Sequence, residues 1–113
     1  MTPESMALFA LLRDRLRTAF PDAIEMAETR SISYHDPEFF LEVIPRKRGL
    51  GLLIAIEYNE VEGPDGFVHD TSDYNFVVNA TYQGGVLINL RDNPHIDRAL
   101  AIAGEARKLI AAG

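Results

Sequence analysis

The chain has 113 residues, of which 47% are hydrophobic and 25% are charged, and this composition is typical of one globular domain spanning residues 1–113. It contains no cysteine, which excludes disulfides and zinc–thiolate sites and favours a reducing, cytoplasmic location. The net charge of −6 argues against nucleic acid as a partner, because phosphate neutralisation needs a basic surface. No apolar run approaches the ~20 residues that cross a bilayer, so we expect no membrane partner.

The N-terminal segment has the pattern of an amphipathic helix. Thr2 supplies an N-cap hydroxyl, Pro3 suits the first helical position, and Glu4 places an acid in the first turn. Pro21 ends the segment. The apolar residues of its buried stripe are Leu8, Phe9, Leu12, Leu16 and Phe20.

Extended segments follow this helix. The run Leu50–Tyr58 is apolar on both faces, which indicates a strand in the middle of a sheet. Glycines after the run Tyr74–Tyr82 favour a hairpin turn at Gln83–Gly85. The first predicted strand, Ala23–Ser33, could instead contain a helical turn. The five predicted strands are Ala23–Ser33, Glu38–Ile44, Leu50–Tyr58, Tyr74–Tyr82 and Val86–Leu90.

A second helix begins at Asn93-Pro94 and is predicted to run for about five turns. Its apolar face consists of Ile96, Ala99, Leu100, Ala103, Ala106 and Ile110. The element order α-β-β-β-β-β-α has no connection that is a good crossover helix. We therefore predict an α+β fold: a five-stranded antiparallel meander with both helices packed on one face.

The three histidines, His35, His69 and His95, each lie within two residues of an aspartate. A meander would bring all three to the same end of the sheet, together with many acidic residues. Adjacent residues of an extended segment point to opposite sides, so His69 and Asp70 are poorly placed to share a metal ion. The spacings match no metal, catalytic or nucleotide-binding motif, and we expect no cofactor, metal ligand or catalytic residue.

The sheet face away from the helices is predicted to be apolar and exposed. Phe40, Leu53 and Val77 belong to it, and the last strand, Val86–Leu90, is predicted to be an edge without charged residues. This much exposed apolar surface indicates self-association as a homodimer or a protein partner. Alternatively, the sheet curls, or a loop or a terminus covers this face.

One basic cluster, Arg46, Lys47 and Arg48, lies in a predicted turn. It is typical of a solubilising hairpin tip, and a phosphate contact is the alternative.

These features together favour a non-catalytic protein-interaction module whose acidic end would attract a basic partner. In size, acidity and helix-bracketed sheet the chain is loosely similar to bacterial secretion chaperones and small immunity proteins, although no motif underlies the similarity and the mid-sheet helix of such chaperones is missing. The alternative is a small-ligand-binding protein or enzyme with a site under the loop Asn59–Ser72. The predicted partner-binding residues are Glu62, Asp65, His69, Asp70, Asp73, Phe40, Leu53 and Val77.

Overall fold

The structure, a computed structural model, describes residues 2–71 and 85–112. The predicted strand Tyr74–Tyr82, turn residues Gln83 and Gly84, and site candidates Asp73 and Val77 lie outside the described residues. The elements are α1 (Pro3–Ala19), β1 (Ile24–Ala27), β2 (Ile32–His35), β3 (Phe39–Pro45), β4 (Leu50–Ile54), a 3₁₀ turn (Tyr58–Glu60), β5 (Val68–Asp70), β6 (Val86–Leu90), a second 3₁₀ turn (Asn93–His95) and α2 (Ile96–Ala112).

Within the described ranges, six strands form one sheet in the order β1-β2-β3-β4-β6-β5, and all neighbours are antiparallel. The α+β class, with an antiparallel sheet and a helix towards each terminus, is therefore confirmed. The strand count differs for three reasons: the first predicted run divides into β1 and β2, β5 forms inside the predicted loop Asn59–Ser72, and the predicted strand Tyr74–Tyr82 is not among the described residues. The predicted meander is wrong, since β6 inserts between β4 and β5 and is not an edge strand.

Helix α1 begins as its sequence predicts and is fixed to the β3–β4 turn. The Thr2 side chain accepts a hydrogen bond from the Ser5 backbone N–H, and Pro3 is the first helical residue. Ser5 is buried, and its Oγ lies 2.9 Å from the carbonyl oxygen of Arg46 and 3.1 Å from that of Gly49. Because this hydroxyl has a partner, its burial is compatible with a stable core.

Both helices pack on one face of the sheet, which we call the helix face. Side chains alternate along each strand, so register assigns Val43, Leu52 and Ile88 to this face and Glu42, Leu53 and Leu87 to the opposite one. Strand β4 is buried throughout, which confirms its predicted central position. No described helix is long and apolar enough to cross a membrane.

The connection from β4 to β5 positions the candidate site. Because β6 lies between them, residues 55–67, here called the crossover segment, must pass from the end of β4 to the far side of β6. Val61 joins the core below the helices, so the segment crosses the helix face beside α2. We call the end of the sheet where β4 finishes the loop end, and the end with the β3–β4 turn the turn end.

Candidate functional site

A groove lies between the crossover segment and α2. It consists of two concavities of about 190 and 230 Å³ that share Ile56 as a lining residue. The first is lined by Val61, Glu62, Arg98 and residues of α2, and the second reaches the last turns of α2. The two concavities meet at Ile56, and the name groove is used for both of them.

Apolar side chains form the floor of this groove. Ile56, Val61 and Ile102 line it and are almost fully buried, so they belong to the core below. Leu109 lines the second concavity and remains 43% exposed. Apolar lining of this kind can bind an apolar side chain without rearranging the core, because the floor is already packed.

Four glutamates surround the apolar floor: Glu57, Glu60, Glu62 and Glu105. Glu57, Glu60 and Glu62 are exposed and form no ion pair with another described residue, whereas Glu105 lies 3.8 Å from Lys108. Like charges around one depression create a negative local potential, which attracts cations. The rim therefore favours a positively charged ligand.

Arg98, in the first part of α2, holds the crossover segment in place. Its Nη2 donates to the carbonyl oxygen of Gly63 and to Oδ1 of Asp65, each at 2.5 Å. The same guanidinium lies 4.5 Å from the ring centroid of Phe67, within the range of a cation–π interaction. Of these three partners only the Asp65 carboxylate carries a charge, and it offsets the positive charge of Arg98, so the glutamates determine the charge of the groove.

The predicted site residues Glu62 and Asp65 lie on the same crossover segment but have different surroundings. Glu62 lines the groove, whereas Asp65 is committed to Arg98 and has a positive φ of 32° in an exposed turn. Of these two, only Glu62 is placed for direct contact with a ligand in the groove, and Asp65 acts on the segment's conformation.

His69 and Asp70 are half-buried neighbours on the edge strand β5. His69 pairs in register with Leu87 on the face away from the helices, and Asp70 pairs with Val86 on the helix face. The structure therefore does not bring them together on one surface, as expected for successive residues of a strand. Neither residue lines the groove.

The expectation that all three histidines collect at one end of the sheet is wrong. His35 ends β2 at the loop end, whereas His95 follows β6 at the turn end. The cause is the direct antiparallel pairing of β6 with β4, which makes β6 begin at the loop end. His95 instead lies 2.5 Å from Asp92 and packs against Phe67. In the part of the chain that the structure describes, no group of three metal-ligating side chains occurs.

The expected exposure of Phe40 and Leu53 is also wrong. Both are fully buried, and on the sheet face away from the helices Ile44 and Leu87 are 1% and 4% exposed. Phe40 packs edge-on against Phe20, with ring centroids 5.2 Å apart, so it belongs to the main core. Neither side chain is accessible to a partner in this conformation.

The same sheet face contains a buried polar group that the sequence reading missed. Glu42 is fully buried and accepts a hydrogen bond from Ser31. Next to it in register, Ser33 donates to Glu28 at 2.8 Å and lies 3.1 Å from Nε2 of His35. Ser33 is only 1% exposed, so a substrate cannot reach its hydroxyl. These contacts satisfy buried polar atoms, and they do not constitute a catalytic pair.

The sequence reading also missed Glu57, Glu105 and Leu109 as groove residues. One signal was present, because Leu109 lies outside the predicted apolar face of α2. An apolar residue beside rather than on such a face is a candidate for a surface contact. The positions of Glu57 and Glu105 in the groove had no such signal, since they depend on the path of the crossover segment.

Comparisons with protein-family models, with curated proteins and with solved structures found no match to this chain.

Proposed function

We propose that this protein is a non-catalytic interaction module that binds a basic, amphipathic segment of another protein in the groove between the crossover segment and α2. The observation that supports this proposal most directly is the combination of an apolar floor with a rim of glutamates. Helix-in-groove recognition uses this chemistry, with apolar anchors below and charges at the edge.

The floor accounts for affinity in this proposal. Leu109 is exposed next to the buried Ile56, so an apolar side chain inserted between the crossover segment and α2 would remove apolar surface from water. Burying such a side chain contributes about 1.5–3 kcal/mol before the entropic costs of association.

The rim accounts for selectivity. Glu57, Glu60 and Glu62 face solvent without an ion pair to any described residue, so a lysine or arginine of the partner meets an uncompensated charge. The net charge of −6 adds long-range attraction for a basic partner. An acidic segment of the same shape would be repelled.

A peptide fits this site better than a small molecule does. Ligand pockets for small molecules usually have volumes of about 300–1,000 Å³ and enclose most of the ligand. The concavities here are about 190 and 230 Å³ and lie along the surface of α2. His69 and Asp70, the titratable residues of the predicted loop that a ligand-binding or enzyme site was expected to use, do not line them. The groove thus favours the interaction module.

The direct test uses a labelled peptide of alternating leucine and lysine clusters that forms an amphipathic helix, and a matched peptide with glutamate for lysine. Fluorescence anisotropy should show binding of the basic peptide alone, and this binding should weaken as salt increases. The triple variant E57Q/E60Q/E62Q should bind the basic peptide at least tenfold more weakly. Co-purification from the native host at low and high salt would then identify the partner.

A matched control separates the groove from net charge. The variant D14N/D22N/E38Q removes three exposed acidic charges that do not line the groove. It should bind the basic peptide within twofold of the unmodified chain. If both triple variants weaken binding equally, general electrostatic attraction explains the result and the groove proposal fails. A variant L109Q that binds normally would also contradict the proposal.

Two further expectations stay predictions. The homodimer was inferred from an exposed sheet face, and the burial of Phe40 and Leu53 removes that reason. Sedimentation of the purified chain would test it. The absence of cysteine supports a reducing compartment such as the cytoplasm as the site of action.

A further inference from the structure

We infer that the turn end of the molecule contains a phosphate-binding site formed by Arg46 and Lys47 beside Thr2. A concavity of about 370 Å³ lies there, lined by Thr2, Pro45, Arg46 and Lys47. It is separate from the groove, which lies beside α2. The ligand class is a phosphate group, either inorganic phosphate or a phosphomonoester.

The first support is an accumulation of unpaired positive charge. Arg46, Lys47 and Arg48 form no ion pair with any residue in the described ranges, although the chain has 17 acidic residues. Arg91 adds a fourth such charge nearby, because Gly49 packs against the backbone of Leu90 and Arg91. By contrast, Arg13, Arg15, Arg98, Arg107 and Lys108 are all ion-paired.

The second support is an unsatisfied hydrogen-bond donor in the Arg46 guanidinium. Its Nε is buried and has no hydrogen-bond partner. Buried polar atoms in folded proteins nearly always have a partner, so an unsatisfied one calls for a missing water or ligand. A half-buried arginine beside a concavity is well suited to an anion, because its planar group can donate two parallel hydrogen bonds to phosphate oxygens.

The third support is that the fold leaves room for this side chain and fixes the turn that carries it. The guanidinium lies over Gly51, and a Cβ at that position would be 2.6 Å from Nε and 3.1 Å from Cζ of Arg46. The turn itself is held by Ser5, whose hydroxyl contacts the carbonyl oxygens of Arg46 and Gly49. The backbone that carries Arg46 is thus fixed before a ligand binds, and Gly51 leaves the space that its guanidinium occupies.

The test is a titration of the full chain with inorganic phosphate at constant ionic strength, followed by the NMR signals of the Arg46 Nε–H and the Lys47 amide. Saturable shifts are expected with phosphate and not with chloride. R46Q and G51A should each weaken binding at least tenfold. G51A is informative because it displaces the guanidinium without changing any charge, and K47Q serves if R46Q does not fold.

The control is R17Q, which removes an exposed positive charge on α1 and should leave phosphate binding within twofold. A parallel titration with phosphoserine distinguishes the sources, since tighter binding of phosphoserine would indicate a phosphorylated peptide rather than free phosphate. Shifts that chloride reproduces, equal weakening in R17Q and R46Q, or normal binding by G51A would each overturn the inference.

Discussion

Arg98 on α2 and Asp65 on the crossover segment are joined at 2.5 Å, and the same Nη2 of Arg98 also binds the Gly63 carbonyl oxygen. The Phe67 ring below the guanidinium adds a third contact. One side chain therefore fixes the part of the crossover segment that follows Glu62. Because Glu62 lines the groove, the shape of the groove depends on this arginine.

Replacing Arg98 by alanine should loosen the crossover segment without unfolding the protein. We expect a loss of about 1 kcal/mol, since the ion pair and the cation–π contact are both partly exposed. Hydrogen exchange is the measurement: the amides of Phe67 and Val68, which donate to the Pro64 carbonyl oxygen at 2.8 and 3.4 Å, should exchange about fivefold faster.

The control for this prediction is R15A. Arg15 of α1 forms a similarly exposed ion pair with Asp97 of α2, at 3.1 Å, and both residues are distant in sequence from the crossover segment. Exchange at Phe67 should not change in R15A. If R98A leaves the Phe67 amide as protected as before, Arg98 does not hold the segment.

A second prediction concerns Glu25, which joins β1 to α1. Arg13 donates to both of its carboxylate oxygens, at 2.9 and 2.6 Å, and the Tyr34 hydroxyl donates at 2.7 Å. The Arg13 hydrogen bonds, followed by that of Tyr34, lower the pKa of Glu25 below its ordinary value, against the opposing effect of burial. Burial and the nearby carboxylate raise the pKa of Tyr34.

A lowered carboxylate pKa stabilises the folded protein above the pKa of the unfolded chain, and this stabilisation is lost as the pH falls through the folded-state pKa. E25Q should therefore melt at a lower temperature than the unmodified chain at pH 7. The difference should shrink steadily at pH values below about 4.3, the ordinary pKa of glutamate. Thermal unfolding at several pH values is the measurement, and a pH-independent difference would contradict this account.

A third prediction tests whether the centre of the sheet face away from the helices is buried. Met26 and Leu53 lie on this face in one row of paired residues that runs across the strands. The row consists of Met26, Ser33, Glu42, Leu53, Leu87 and His69. Leu53 is 0% exposed and Met26 is 47% exposed. L53A should cost about 2–5 kcal/mol in unfolding free energy, as for a buried leucine. M26A should change it by less than about 0.5 kcal/mol.

Urea denaturation of both variants is the measurement. If the face were open, as its sequence suggested, the two substitutions would have similar small effects. A loss of less than about 1 kcal/mol in unfolding free energy for L53A would indicate that this face is exposed. The original reason for expecting a homodimer would then hold again.

Features with local causes were predictable from the sequence. Thr2 and Pro3 mark the start of α1 because capping depends on neighbouring residues alone. The central position of β4 followed from apolar residues on both faces. Strand β6 was found with its correct bounds, Val86–Leu90, because its composition is unambiguous.

The order of the strands and the groove had no local cause. Strand β5 has only three residues, too few for an alternating pattern, so its pairing with β6 was not predictable. That pairing directs the crossover segment past α2 and brings Glu57 near Leu109, residues about fifty positions apart. Glu62 was identified because it is acidic and in a loop, whereas its neighbours in the groove depend on this non-local path.

The last prediction separates two reasons for glycine in a turn: a positive φ angle and close packing against neighbouring backbone. Gly49 and Gly63 both have positive φ, 77° and 56°, so alanine at either position adopts a conformation that costs about 1 kcal/mol. Gly63 has open space around it, whereas a Cβ at Gly49 would overlap the carbonyl oxygen of Leu90. G63A should therefore lose about 1 kcal/mol and G49A about 3 kcal/mol or more, because the β3–β4 turn must move away from β6. Equal losses, measured by urea denaturation, would show that the turn does not pack against the end of β6 as described.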